Sequence, residues 1–229
     1  MKKVVILSGA GMSAESGILT FRDMGGLWEQ YNIEEVASPI AWQREPQLVL
    51  DFYNQRRKQL MEVKPNAGHF ALAELESKFE VQIITQNVDN LHERAGSTNV
   101  MHLHGEMMKV RSVVNDKLIY EMDHWELKLG DMAEDGQQLR PHIVWFGEAV
   151  PMIEEAIPII QSADIVIIVG TSMRVYPAAG LIGYAKTGIP KYYIDPNAND
   201  FEQHNMRCIN KKAGEALPKL VAELIQEFS

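Results

Sequence analysis

The chain has 229 residues, of which 46% are hydrophobic, and this is enough apolar material for one domain with a substantial core. Its formal net charge of −9 is unfavourable for general nucleic-acid binding, which needs a face rich in Lys and Arg. The single cysteine, Cys208, excludes an internal disulfide bond and any multi-thiolate metal site. No apolar stretch is long enough to cross a bilayer. We therefore expect a cytoplasmic protein without membrane or specific nucleic-acid partners.

The first predicted element is a short strand, Val4 to Leu7, that runs into the glycine turn SGAG and a helix start. In such an arrangement Gly9 and Gly11 let the backbone approach a pyrophosphate, and amides at the helix start favour negative charge. Ser13 is a possible cap of this helix. A GxG pattern recurs in many loops, so by itself it is a weak indication of a nucleotide site.

Two amphipathic helices are predicted next, over residues 46–61 and 66–78. Proline at position 46 suits a helix start, because its missing N–H is not needed there. On the first of these helices Tyr53 and Arg56 are three residues apart and therefore share a face.

A polar run follows the buried strand predicted over residues 79–84, and it begins with TQNVDN. A second apolar piece, VMHLHG, then places His104 beside Gly105. Ligands of α/β proteins bind at the carboxyl ends of parallel strands, and histidine suits acid–base chemistry because its pKa lies near operating pH. This polar run is therefore the predicted centre of the chemistry.

The remaining sequence predicts a small β-containing insert and then further strands and helices. Residues 107–140 contain the strand-like pieces KVRSVV and KLIYEM within a charged stretch of little periodicity. Strands are then predicted in PHIVWFGE, over residues 165–169 and in KYYID, and helices over residues 152–161, 177–186 and 214–228. Strands that alternate with helices imply a parallel sheet covered on both faces.

Five ordered sequence blocks resemble those of the sirtuins, the NAD-dependent protein-lysine deacylases: GAGMSAESGILTFR, TQNVDNLHERAG, HLHGE, RPHIVWFGE and GTSMRVYPAAG. The resemblance covers nearly the whole chain. It implies one catalytic domain, residues 1–229, with an α/β Rossmann-like parallel sheet and helices on both faces. The Rossmann-like part would comprise residues 1–30, 62–106 and 141–229, with small-domain inserts at about 31–61 and 107–140.

The same resemblance implies an activity that converts NAD and an acyl-lysine protein or peptide into nicotinamide, free lysine and O-acyl-ADP-ribose. His104 would be the general base on a ribose hydroxyl, and Asn87 a second catalytic residue. The motif YNQR resembles the Tyr-x-x-Arg pair of the sirtuins that remove succinyl and malonyl groups. We therefore expect desuccinylation and demalonylation in addition to deacetylation.

The binding residues implied by the resemblance fall into two groups. The residues that would hold NAD are Gly9, Ala10, Gly11, Ser13, Phe21, Arg22, Gln86, Asn87, Asp89, Gly170, Thr171, Ser172 and Asp195. The residues that would hold the acyl-lysine substrate are Tyr53, Arg56, Val144, Phe146, Gly147 and Val175. Asp195 stands where the family commonly has Asn, although a carboxylate can still accept from ribose hydroxyls.

The chain departs from the family at the structural zinc, which sirtuins usually hold through two cysteine pairs after the HGE block. Residues 107–140 contain no cysteine, and Ser112 stands where the first pair would be. Four side chains here are interpreted as solvated charges rather than substitute ligands: Asp123, His124, Asp131 and Asp135. We expect a zinc-free small domain held by apolar side chains, among them Val110, Val113, Ile119 and Trp125.

Two other functions remain open at this stage. In mono-ADP-ribosyl transfer, a protein side chain rather than an acyl oxygen would attack the ribose carbon. A non-catalytic NAD or ADP-ribose sensor would lack Asn87, Asp89 and His104, yet all three are present. We expect a monomer, and we expect His69, His92, His102 and His142 to be structural.

Overall fold

A six-stranded parallel sheet forms the centre of the computed structural model, which describes residues 1–18, 33–198 and 206–228. The strand order is β3-β2-β1-β7-β8-β9, and each neighbouring pair is parallel. The strands are β1 (Lys3–Ser8), β2 (Glu80–Thr85), β3 (Val100–His102), β7 (Ile165–Val169), β8 (Lys191–Ile194) and β9 (Arg207–Ile209).

Helices cover both faces of this sheet. Successive strand residues point to opposite faces, so Val4 and Ile6 join one apolar cluster and Val5 and Leu7 join another. The helices are α1 (Gly11–Ala14), α2 (Ile33–Val36), α3 (Pro39–Arg44), α4 (Pro46–Glu62), α5 (Ala67–Leu75), α6 (Leu91–Arg94), α7 (Met152–Ser162), a 3₁₀ helix (Ala178–Tyr184) and α8 (Ala213–Glu227). In the described ranges none of them is long and apolar enough to cross a membrane. The predicted α/β sheet with two covered faces is confirmed.

A separate three-stranded antiparallel sheet follows the polar run, with the order β5-β4-β6. Its strands are β4 (Gly105–Ser112), β5 (Ile119–Glu121) and β6 (Leu139–Ile143). Val110 lies in its apolar cluster with Leu50 of α4, as expected, and Val113 is half-buried. Ile119 and Trp125 are 43% and 37% exposed, so the prediction that they form this core is wrong.

Arg57 connects α4 to the small sheet. Its buried guanidinium donates to the carbonyl oxygens of Met107, at 2.8 Å, and Trp125, at 2.7 Å. Burial lowers the pKa of Arg57 to about 10. Hydrogen bonds from a buried charged group contribute more than neutral ones, so this contact adds polar stabilisation to the sheet's small apolar cluster.

Some local predictions are wrong for identifiable reasons. Residues 178–184 form a 3₁₀ helix rather than an α-helix, and two glycines within this segment weaken an α-helix. The strand predicted in PHIVWFGE ends at Ile143, before a turn in which Gly147 has φ of 92°. Ser13 does not cap α1, because the cap position is Ala10 and Ser13 lies inside the helix.

Candidate active site

A cleft at the carboxyl ends of β1 and β2 brings together residues from four separated segments. It encloses about 500 Å³, part of it open to solvent. The polar lining comes from the turn after β1, from α4 and from the run after β2. The lining residues are Ala10, Ser13, Ile18, Arg56, Gln59, Leu60, Gln86, Asn87, Val88, Asp89 and Met107.

The glycines of the first turn serve close packing between the turns that follow β1 and β7. A Cβ on Gly9 would lie 2.7 Å from the Thr171 Cβ, and one on Gly11 would lie 2.9 Å from the Gly170 Cα. The Gly11 amide donates to the Gly170 carbonyl at 2.8 Å, and the Gly9 amide donates to the carbonyl of Val169 at 3.0 Å. These two amides are therefore used within the protein and hold the turn after β1 against the turn after β7.

Ser13, Asn87 and Asp89 form a buried hydrogen-bond network on the cleft wall. The Ser13 hydroxyl donates to Asp89 Oδ2 at 2.8 Å, and Asn87 Nδ2 donates to Ser13 Oγ at 3.3 Å and to the Gly9 carbonyl at 3.1 Å. Burial raises the pKa of Asp89 despite the hydrogen bond from Ser13. The nitrogen of the Asn87 amide is thus engaged by the protein, and its oxygen remains as a hydrogen-bond acceptor.

The turns after β7 and β8 place the remaining predicted cofactor residues. Gln86 Nε2 donates to Thr171 Oγ1 at 3.2 Å, which ties the end of β2 to the end of β7. Ser172 is exposed beside Thr171. Asp195 follows β8, and its Oδ1 accepts from the Asn197 amide at 2.9 Å, so one carboxylate oxygen already stabilises its own turn. Phe21 and Arg22 lie outside the described residues.

His104 lies in the turn between β3 and β4, with its Nδ1 3.0 Å from the Gln86 carbonyl oxygen. A carbonyl only accepts hydrogen bonds, so in the neutral ring Nδ1 carries the proton and Nε2 has the lone pair. Burial lowers the pKa of His104, and this keeps the ring neutral near pH 7. His104 is therefore in the protonation state that a general base requires.

The lowered pKa of His104 predicts the acid limb of the rate profile. As pH falls through this pKa, Nε2 becomes protonated and cannot accept a proton, so kcat/KM should fall. We expect a midpoint below about 6.5, the ordinary value for histidine. The measurement is kcat/KM from about pH 5 to pH 8, with the His104 titration followed by NMR of labelled histidine. A kinetic midpoint above that of a free histidine would contradict the assignment.

Gly105 fixes the backbone immediately after His104. Its φ is 82°, and a Cβ there would lie 2.0 Å from the carbonyl oxygen of His142 on β6. We expect Gly105→Ala to lower the free energy of unfolding by about 2 to 4 kcal/mol, because strain and a backbone clash combine. Gly136→Ala is the matched control, since φ is 74° there but nothing lies within 4 Å. Equal losses in chemical denaturation would show that the clash is unimportant.

Tyr53 and Arg56 lie together on α4, and Arg56 lines the cleft. The indole Nε1 of Trp145 donates to the Tyr53 hydroxyl oxygen at 3.0 Å, so the Tyr53 proton is directed to another acceptor. Burial raises the pKa of Tyr53 to about 12, which keeps this hydroxyl protonated. Arg140 lies 3.3 Å over the Trp145 ring and holds the indole in place. The sequence interpretation identified the Tyr–Arg pair but missed Trp145.

The other predicted substrate residues occupy two segments near the strand ends. The Val144 amide donates to the His104 carbonyl at 2.9 Å, so this segment adjoins the candidate base. Phe146 is 52% exposed, and Gly147 follows it in a turn. Val175 is half-buried just before the 3₁₀ helix.

The small sheet does not fit a thiolate zinc site. The chain's one cysteine, Cys208, lies in β9 of the other sheet. Ser112 donates to Asp135 Oδ2 at 2.7 Å, and His124 pairs with Asp123 at an exposed position. Across the described parts of the chain, no group of three or more His, Cys, Asp or Glu is placed to hold a metal ion.

His69 and His92, two of the histidines expected to be structural, are fully buried next to the large sheet. His92 Nε2 lies 2.9 Å from the Ser8 hydroxyl, and the His69 ring lies edge-on to His92 with centroids 4.9 Å apart. Burial lowers the pKa of His69 to about 4 and that of His92 well below its usual value. Both rings are therefore neutral in the folded protein and inaccessible to a ligand.

Known proteins of one family are similar to this chain in sequence and in fold. The parallel sheet and its cleft define a Rossmann-like α/β protein. The Sir2 family model matches residues 9–177. An NAD-dependent protein deacylase of Helicobacter pylori (strain ATCC 700392 / 26695) is 57% identical over 230 residues, which cover 100% of both chains. The chain therefore belongs to the Sir2 family.

Solved structures of Sir2 homologues have the same fold. A mutant homologue in complex with ADP-ribose superimposes with a TM-score of 0.91 at 38% identity, covering 99% of this chain and 93% of that one. A Sir2 homologue in complex with NAD has a TM-score of 0.86 at 39% identity, with coverage of 100% and 91%. The similarity therefore extends over the whole chain rather than over the sheet alone.

Proposed function

We propose that the chain is an NAD-dependent protein-lysine deacylase that releases nicotinamide, free lysine and O-acyl-ADP-ribose. The observation that carries this proposal is His104, whose Nδ1 is anchored on the carbonyl of cleft residue Gln86 and whose Nε2 is left as a base. The identity with a full-length relative named NAD-dependent protein deacylase supports it.

The cleft residues fit NAD. The N–H groups of the nicotinamide carboxamide need acceptors, and the Asn87 amide oxygen and the Asp89 carboxylate offer these on one wall. When bound, NAD would supply an electrophilic ribose carbon for the acyl oxygen, with nicotinamide as the leaving group. We assign contacts with the rest of NAD to residues around the turns after β1, β7 and β8: Gly9, Ala10, Gly11, Ser13, Gly170, Thr171, Ser172 and Asp195.

His104 has the proton-transfer role in this proposal. Its Nε2 accepts the proton of a ribose hydroxyl, and Nδ1 remains bonded to the Gln86 carbonyl, which keeps the ring orientation fixed during the transfer. Asn87 binds the carboxamide of nicotinamide in this proposal, and its amide group is fixed by the hydrogen bond to the Gly9 carbonyl. The adjoining segment with Val144 and Phe146 is assigned to the backbone of the acyl-lysine peptide.

We further propose that the enzyme accepts acyl groups that end in a carboxylate, such as succinyl and malonyl. Arg56 provides a guanidinium in the cleft, and the Tyr53 hydroxyl, which accepts from Trp145, can donate to the same carboxylate. The partners are acyl-lysine proteins or peptides, and we propose that a monomer binds them.

The experiment is incubation of the purified protein with NAD and one peptide carrying acetyl-, succinyl-, malonyl- or longer acyl-lysine, followed by mass spectrometry. The proposal predicts loss of the acyl mass from the peptide and the appearance of O-acyl-ADP-ribose. Addition of an ADP-ribose mass to the peptide would instead establish mono-ADP-ribosyl transfer. Unchanged peptide with intact NAD would contradict both activities.

A further inference from the structure

His102, the last residue of β3, makes two hydrogen bonds in opposite directions. Its Nδ1 lies 2.8 Å from the backbone carbonyl oxygen of Asn87, and its Nε2 lies 2.7 Å from Oε1 of Glu93 on α6. The imidazole is 6% exposed, whereas the Glu93 side chain is 38% exposed. His102 therefore joins a residue of the cleft wall to a carboxylate outside the cleft.

Both atoms that face the ring of His102 are acceptors. A neutral imidazole has only one N–H, so it can satisfy the carbonyl or the carboxylate but not both. The doubly protonated ring satisfies both at once. Burial opposes this charge, but the hydrogen bond and charge of Glu93, together with the Asn87 carbonyl, raise the pKa of His102 above its usual value.

On balance, the other charges near His102 also favour its protonated form. Glu106 on β4 and the buried Asp89 also favour the protonated ring, whereas His92 on α6 is neutral. Lys109 pairs with Glu106 at 2.8 Å and lies near Glu93 as well, so it reduces this acidic field without removing it. The contacts and the neighbouring charges therefore favour the imidazolium form of His102, with Glu93 as its main partner.

We propose that His102 is a positioning residue whose imidazolium, paired with Glu93, fixes the Asn87 peptide and thereby the amide that faces the nicotinamide end of the cleft. The Asn87 backbone is held at both ends, because its N–H donates to Thr85 Oγ1 at 3.0 Å and its carbonyl accepts from His102. With both backbone groups fixed, the side chain reaches the Gly9 carbonyl in one orientation.

The adjacent histidines then have opposite states. His104 bonds the carbonyl of Gln86 and keeps Nε2 bare, and His102 bonds the next carbonyl, that of Asn87, and is protonated on both nitrogens. Environments that push the pKa values of two neighbouring groups apart divide their roles. His104 serves proton transfer, and His102 serves the geometry of the loop.

The sign of the pH dependence follows from the raised pKa. As pH rises through the folded pKa of His102, the ring loses one N–H. At either the Glu93 contact or the Asn87 contact, two acceptor atoms then face each other and the hydrogen bond is lost. The loop restraint should be complete at low pH and lost on the alkaline side. This inference rests on the proposed NAD site, but the protonation of His102 can be measured without turnover.

The first test is ¹⁵N NMR of histidine-labelled protein, with and without Glu93→Gln. We expect the wild-type His102 ring to carry protons on both nitrogens near pH 7, and we expect Glu93→Gln to lower its pKa by about one unit or more. A His102 ring with one N–H near pH 7, or a pKa unchanged in Glu93→Gln, would overturn the proposal. This outcome does not depend on deacylase activity.

The second test compares the binding of NAD with that of ADP-ribose, which lacks nicotinamide, by calorimetry. We expect His102→Leu to raise the Kd for NAD by about tenfold or more and that for ADP-ribose by less than about threefold. His102→Asn, whose amide nitrogen can replace Nδ1 as donor, should recover most of the loss. The control is His124→Asn, since His124 is an exposed histidine paired with Asp123.

A purely structural role is distinguishable in this comparison. General loosening of the fold would weaken NAD and ADP-ribose equally, and His102→Asn would not recover the difference; either result would overturn the proposal. If His102→Leu does not fold, the comparison is made with the wild-type protein between about pH 6 and pH 9, where loss of one N–H from His102 should weaken NAD binding selectively. Glu93→Gln should not show this dependence, because its amide can donate to the neutral Nε2 and leave the Nδ1–H for the Asn87 carbonyl. A constant ratio of the two Kd values in the wild-type protein would overturn the proposal. Absence of NAD binding by the wild-type protein would contradict the proposed function instead.

Discussion

Replacing His104 with alanine is expected to lower kcat for NAD-dependent deacylation by a factor of about 10² to 10⁴, the usual contribution of a positioned general base. The physical reason is that Nε2 of His104 is the only atom assigned to remove the ribose proton, and its ring is held by the Gln86 carbonyl. NAD affinity should change little, because that carbonyl remains part of the cleft wall. The measurement is single-turnover release of free lysine peptide, with the Kd for NAD determined in parallel.

His124→Ala is the matched control for this experiment, because His124 is an exposed histidine in the segment between β5 and β6. We expect wild-type turnover from this variant. If His104→Ala retained wild-type turnover, His104 would not be the base. If it lost NAD binding to the same extent as activity, the side chain would be part of the binding site rather than of proton transfer.

Arg56→Met is expected to lower kcat/KM for succinyl-lysine peptide by about tenfold to a hundredfold and to leave acetyl-lysine turnover within about threefold. Arg56 lines the cleft beside Asp89, and a charge-assisted bond to the succinyl carboxylate has no counterpart in an acetyl group. Methionine keeps much of the apolar stem, so packing against the cleft wall is retained. The measurement is the ratio of the two kcat/KM values.

Lys58→Met provides the control, because Lys58 is an exposed cation two residues along the same helix and near Trp125 rather than in the cleft. Its ratio of succinyl to acetyl turnover should equal that of the wild-type protein. Tyr53→Phe should reduce the ratio in the same direction as Arg56→Met, since it removes the hydroxyl that Trp145 orients. Equal losses on both peptides in Arg56→Met would make Arg56 a structural residue.

The large sheet could be predicted because its signals are local and strong. The strand Ile165–Val169 is an uninterrupted apolar run, and its predicted bounds equal those observed. The short elements could not be predicted: α6 has four residues and β9 has three, too few for a hydrophobic period to appear. Their positions depend on contacts with other parts of the chain.

The sequence predicted most of the polar residues that line the cleft, but not the contacts that these and neighbouring residues make within the protein. Gly9 and Gly11 were expected to let the backbone approach a phosphate, and the structure adds that they allow the turns after β1 and β7 to pack together, a contact between residues about 160 positions apart. The sequence indicated proton transfer by His104 and a structural role for His102. It did not reveal that the two rings would bond consecutive backbone carbonyls, those of Asn87 and Gln86.

The pairing of Trp145 with Tyr53 also lies beyond sequence reasoning. The two residues are 92 positions apart, and their hydrogen bond forms because the fold places the indole, which lies under Arg140, beside the Tyr53 hydroxyl. The block RPHIVWFGE marked this segment as substrate-binding, but nothing in its composition linked it to α4. Only the folded chain shows that Tyr53, which we propose recognises the acyl group, has a partner outside α4.

Product stoichiometry tests the deacylase assignment most directly. The protein is incubated with NAD and an excess of acyl-lysine peptide, and nicotinamide, deacylated peptide and O-acyl-ADP-ribose are quantified from the same sample. We expect equal amounts of the three products from the wild-type protein and none above background from His104→Ala. Nicotinamide release without matching O-acyl-ADP-ribose, or undiminished product from His104→Ala, would contradict the assignment.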